Sequence, residues 1–282
     1  MSEKMVPTAR KFEKDMNKNF PVHWFKDNIL ATHIMNSLHM IFPDGERFFI
    51  RSVQAFNNQL SDAGLKERVK GFIAQEVQHG KSHEEFWQTL RDQGLEPDQF
   101  RDIYVKSGYE GIEPFLVSLF GQELALSTTV ALEHWTAVLA EKGLTAERVL
   151  DGMPEEMAQM LDWHAAEEIE HKSVAFDVLK EVDDDTMLRM AGMLIGTLGL
   201  WIYGAIGTVH FLSKDNNINF FKLLTDSAKV GIFGAVVLPD LIKEVIEYTQ
   251  SDFHPDDNDN YHLAERVFAQ QADNLRNLKK AG

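Results

Sequence analysis

The sequence predicts an all-α protein, a four-helix bundle with additional apolar helices toward the C-terminus, and three observations predict it. Glu-x-x-His occurs twice, as Glu76-Val77-Gln78-His79 and Glu168-Ile169-Glu170-His171, and that spacing turns both side chains to one face only in a helix. Each copy follows a glutamate by the length of one helical hairpin, Glu46 lying 30 residues before Glu76 and Glu133 lying 35 before Glu168. Met190 to Leu212 form an uncharged run of 23 residues, long enough for a bilayer-crossing helix.

Composition sets the limits. With 282 residues, 44% of them hydrophobic, the chain can bury one sizeable core or a core with an appendage. A net charge of -16 argues against a nucleic-acid partner, because such partners are met by a basic face. Without cysteine, disulfides, thiolate metal sites and thiol nucleophiles are excluded. The first twenty residues mix charges and hold no apolar run of signal-peptide length, so a cytoplasmic location is expected.

In chain order, residues 1–24 read as an extended arm that packs down at Phe20-Pro21-Val22-His23-Trp24. Asn28 to Met40 reads as a helix stopped by Pro43, with His33 and His39 as ordinary core or surface histidines. Asp44 is expected to cap a second helix in which Glu46 stands in the first turn, where the helix dipole alone favours an acid. A long helix from about Gly64 to Gln93 carries Glu76, His79 and His83 on one face. A connection to about Gly111 is followed by a third helix, Pro114 to Ala140, holding both Glu123 and Glu133. These two stand about 15 Å apart along the axis, so only one can serve a given site, and the embedding of Glu133 in Ala131-Leu132-Glu133-His134-Trp135 favours it. Thr145 to Asp151 reads as a short helical bridge, and Pro154 opens a fourth helix running to about Val182. Residues 1–185 are thus expected to form the bundle and 186–282 an apolar extension.

That extension leaves three readings open: a membrane hairpin, a peripheral wedge, or helices that cap the bundle and wall an apolar pocket. Gly192-x-x-x-Gly196 resembles a close-packing helix face, and a shorter apolar patch runs from Val230 to Leu238. The acidic stretch His254 to His262 reads as a solvated linker, and an amphipathic helix is expected to follow it to Lys280.

The chemistry rests on His164, Glu168 and His171, which at about 100° per residue fall within about 60° of one another on a helix. Together with Glu46, Glu76, His79 and Glu133 they make four carboxylates and three imidazoles, a donor set for two metal ions. Iron is preferred, with manganese or zinc as alternatives. His83 either lines the substrate cavity, bonds a ligand or is an ordinary buried histidine, and His134, which points elsewhere, is a weaker candidate to bond a ligand. Glu170 reads as a solvated acid on the outer face, and Glu167 as a substitute for Glu168.

The pattern Glu, Glu-x-x-His, Glu, His-x-x-x-Glu-x-x-His resembles that of ferritin-like di-iron oxygenases, and the additional His164 is similar to the aminobenzoate N-oxygenase branch. More closely, Phe42-Pro43-x-Gly45-Glu46-x-Phe48-Phe49, Gln75-Glu76-x-x-His79-x-x-x-His83 and Leu132-Glu133-His134 resemble a bacterial family labelled "predicted metal-dependent hydrolase". The likeness covers roughly residues 20–250. It implies a ferritin-like bundle with a dinuclear site held by the seven residues. The expected activity is a di-iron oxygenase acting on a lipophilic small molecule with an external electron donor. The alternatives are a hydrolase using metal-activated water and a non-catalytic, membrane-associated metal-binding protein. Association with the inner membrane and a homodimer are left open.

Overall fold

The computed structural model describes residues 5–145 and 152–278; the expected bridge over 146–151 lies outside them. The fold is all-α apart from one two-stranded ribbon.

Helix α1 spans Ile29–Gln54, with the Asn28 side chain accepting from the Ala31 N–H at 2.9 Å. The two helices expected on either side of Pro43 are therefore one. Proline lacks the N–H that would bond the His39 carbonyl, and the Trp87 indole supplies a substitute donor at 3.0 Å. Glu46 is consequently a mid-helix residue. Asp44 caps nothing; it accepts from Arg47 and Arg101. Helix α2, Ala63–Asp92, matches its expected bounds and is capped by Asp62.

The expected connection after it is helical instead: α3 is Pro97–Tyr104, followed by a π-helical stretch, Val105–Ile112. The expected third helix is two, α4 (Glu113–Phe120) and α5 (Gln122–Thr145), parted at Gly121 with φ 84°, a conformation that a side chain would strain. The expected fourth helix also divides, into α6 (Glu155–His171) and α7 (Val174–Val182). Partners remote in sequence hold the residues of that break: Lys172 Nζ donates to the Asn258 carbonyl and Asn260 Oδ1, and Arg68 to Ser173 Oγ.

Helix α8, Thr186–Lys214, lies along α5 and α1. Glycine permits this, since a Cβ at Gly192 would strike Ser127 of α5 and one at Gly207 would strike Ser37 of α1. The close-packing face read from Gly192 and Gly196 is thus used, against α5. The shorter apolar patch belongs to a 29-residue helix, α9 (Phe220–Tyr248), that carries Pro239 inside it. Helix α10 is Tyr261–Gln270 and stops short of the expected Lys280; strand β2 (Leu275–Asn277) follows and pairs antiparallel with β1 (Arg10–Phe12). The acidic stretch is exposed at Asp257, Asn258 and Asp259, as expected, but it is also pinned, with Asn258 and Asn260 donating to Glu141 and His254 bonded to Asp177. Both large core clusters cross residue 185, one including Met193 and Tyr248, the other Phe211.

Candidate metal centre

Four helices bring one face each to a common interior point: Glu46 from α1, Glu76 and His79 from α2, Glu133 from α5, and His164, Glu168 and His171 from α6. All seven are buried. His171 Nε2 lies 3.1 Å from Glu133 Oε2, 3.2 Å from Glu76 Oε1 and 3.4 Å from Glu168 Oε2. His79 Nδ1 lies 3.4 Å from Glu168 Oε1, and His164 Nε2 lies 2.9 Å from that same oxygen and 3.9 Å from Glu46 Oε1. Glu123, the competing acid of the third helix, stands instead in the first turn of α5 beside Gly121.

Both oxygens of Glu46, Glu76 and Glu133, one of Glu168, Nδ1 of His79 and Nε2 of His171 are buried and make no hydrogen bond. Buried polar groups are ordinarily paired, so this many orphaned atoms around one point mark a place for cations. The donors form overlapping triads, among them Glu46–Glu76–His79, His79–His164–Glu168 and Glu76–Glu168–His171, each with its ligand atoms within 4.8 Å of one another. Glu46, Glu76, His79, His164 and Glu168 each belong to more than one of these groups, so the donors form one connected cluster.

The electrostatics agree. Burial, reinforced by neighbouring acids, pushes the Glu46, Glu76 and Glu133 carboxyls above the usual carboxylate range. Burial opposes charge on Glu168 as well, yet His171 and the other imidazoles hold its carboxyl well below that range. Burial also disfavours the charged form of His171, but Glu133 and Glu168 outweigh it and raise the imidazole. Without cations the cluster must take up protons, and metal binding replaces them. Carboxylate and imidazole donors suit iron, manganese or zinc.

Each imidazole that faces the centre has its other nitrogen engaged outside it. His79 Nε2 bonds Glu167 Oε2 at 3.1 Å, His171 Nδ1 bonds Gln75 Oε1 at 3.0 Å, and His164 Nδ1 bonds His83 Nε2 at 2.8 Å. Such partners fix which nitrogen is free to ligate. His83 thus bonds one of the candidate ligands, and it continues to His39, Nδ1 to Nδ1 at 2.7 Å. The sequence reading took His39 for an ordinary core or surface histidine, although it stands two helical turns before Glu46 on the same face.

Three expectations are corrected here. Glu170 is not solvated and Glu167 does not replace Glu168. Both acids are buried under the N-terminal arm, where Arg10 donates to Glu167 at 3.1 Å and to Glu170 at 2.8 Å and 3.0 Å, and Gln75 donates to Glu170 at 2.5 Å. His134 is not beside the centre. One residue round the helix from Glu133, it packs on Tyr248 and Phe253, 4.0 Å from Glu244. Burial lowers its imidazole to about 4. Arg10 gave no local signal, since its role exists only once the arm has folded onto α6.

An all-α protein with a buried carboxylate–histidine centre for cations is the class that this fold and site define. Residues 8–259 match the family described as "predicted metal-dependent hydrolase", and the chain belongs to that family. No curated protein and no solved structure gives a significant match.

Proposed function

We propose that this protein is an enzyme that holds two cations in the cluster and hydrolyses an ester or amide of a lipophilic molecule. The carrying observation is the set of unpartnered buried oxygens and nitrogens around one point. Glu46, His79 and His164 would serve one cation, Glu133 and His171 the other, and Glu76 and Glu168 both. When bound, such a pair lowers the pKa of a water to the point where hydroxide is available near neutral pH. The chain's own contribution is orientation and exclusion: Glu167, Gln75 and His83 set the three imidazoles, and Phe42, with its ring centroid 5.3 Å from His83 and 5.5 Å from His164, keeps bulk water from that side.

A second reading is oxidation of the same molecule with dioxygen and an external electron donor. The observation favouring it is the ligand pattern, which on four helices resembles that of ferritin-like di-iron oxygenases. The exposed apolar side chains of α8 and α9 favour contact with a membrane for either reaction.

Metal analysis of the purified chain, combined with assays of acyl-ester cleavage and of oxygen uptake by the ferrous form, tests this. Two equivalents of metal and ester cleavage without oxygen uptake support hydrolysis. Oxygen uptake with no ester cleavage replaces it by the second reading. Absence of stoichiometric metal removes both and leaves a non-catalytic protein.

A further inference from the structure

A cavity of about 140 Å³, lined in part by Phe42, lies between α1, α4, α5, α8 and the π-helical stretch. Its walls are mostly apolar, Phe49, Val117, Leu132, Ile195 and Gly199 among them. Ile112 lines it and is 51% exposed, so the cavity opens there, beside the exposed Phe115 and Leu119 of α4.

The polar atoms of this lining already have protein partners. Thr128 and Thr136 donate to the Leu124 and Glu133 carbonyls, Tyr104 and Tyr109 bond each other at 2.5 Å, and Tyr203 bonds Ser107 at 2.8 Å. Glu113 accepts from Arg51 at 2.8 Å. The charges beside the lining, Glu113 and Arg51, already pair with each other, so a charged group entering the cavity would lose its water for little return, whereas an alkyl chain would lose only unfavourable hydration.

We infer that this cavity binds the substrate, and that it takes an uncharged aliphatic chain of about six carbons, an apolar cavity of about 150 Å³ being large enough for benzene. Phe42 is then the partition between the bound chain and the imidazoles of His83 and His164. The inference rests on the enzymatic reading above for the word substrate, but the binding itself does not require it.

The full chain as purified is titrated with 1-hexanol and with hexanoate at pH 7.5, and the affinities are read by ligand-detected NMR. Two variants accompany it, Gly199→Leu and Gly204→Leu. Both glycines lie on α8, and a Cβ at either meets nothing within 4 Å, yet only Gly199 lines the cavity. The expected result is binding of 1-hexanol, at least tenfold weaker binding of hexanoate, at least tenfold loss in Gly199→Leu, and no change in Gly204→Leu. Equal affinity in all three proteins, or hexanoate binding as well as 1-hexanol, overturns the inference. Metal content is measured separately, so a chain that binds 1-hexanol but holds no metal loses the enzymatic reading and keeps the cavity.

Discussion

Glu133 carries both oxygens unpaired into the centre, while Glu123 lies ten residues earlier at the start of the same helix. Glu133→Ala is expected to lower bound metal from two equivalents to one or fewer, and Glu123→Ala to leave it unchanged, as metal analysis would show. Glu167→Gln tests a finer point. The glutamine can present an N–H where His79 Nε2 needs an acceptor, so metal affinity should fall on the order of 10- to 100-fold in a chelator competition, with the fold retained. Five of the seven converging residues were legible because helical spacing alone places Glu76 with His79 and His164 with Glu168 and His171; Glu46 and Glu133 needed the hairpin-length interval as well. Glu167, Glu170 and Arg10 were not legible, because an acid on a helix face looks solvated until a distant segment covers it.

Elements show the same division. Pro43 reads locally as a helix stop, and only the Trp87 indole, 44 residues further on, makes its place inside α1 acceptable. Trp87→Phe removes the donor and leaves a space where the larger indole packed, so stability should drop by about 2–3 kcal/mol in denaturant unfolding. The ribbon of β1 and β2 closes the termini over α6, and through Arg10 it holds Glu167 and Glu170. Arg10→Met is therefore expected to weaken metal retention and to speed protease cleavage of the arm, two readouts that a merely local surface contact would leave unmoved.

Across the whole molecule, the acids buried at the centre make the fold depend on what neutralises them. Cations at about a hundredfold above their dissociation constant add about 2.7 kcal/mol, so chelation should lower Tm by on the order of 5–10 °C, read by calorimetry. The outer faces of α8 and α9 raise a separate matter. Among the described residues α8 is long and apolar enough to cross a membrane, but its inner face lies on α5 and α1 and walls the cavity. Lipid therefore cannot surround it, and the membrane contact proposed above would fall to its outer face alone. Trp201 is exposed and the other four tryptophans are buried, so zwitterionic vesicles should shift the emission to the blue, and Leu194→Glu with Leu198→Glu should abolish the shift.

By itself the sequence determined that the chain is helical, that two Glu-x-x-His turns each follow a partner glutamate at one hairpin's distance, and that the tail is too apolar to be an ordinary linker. Those are properties of spacing and composition, and they survive any choice of packing. Which acids are buried, which nitrogen of each imidazole is free, whether a proline ends a helix, and whether an apolar helix walls a cavity were decided by the tertiary structure. Each depends on a partner brought from elsewhere in the chain, and desolvation acts only after that partner has arrived.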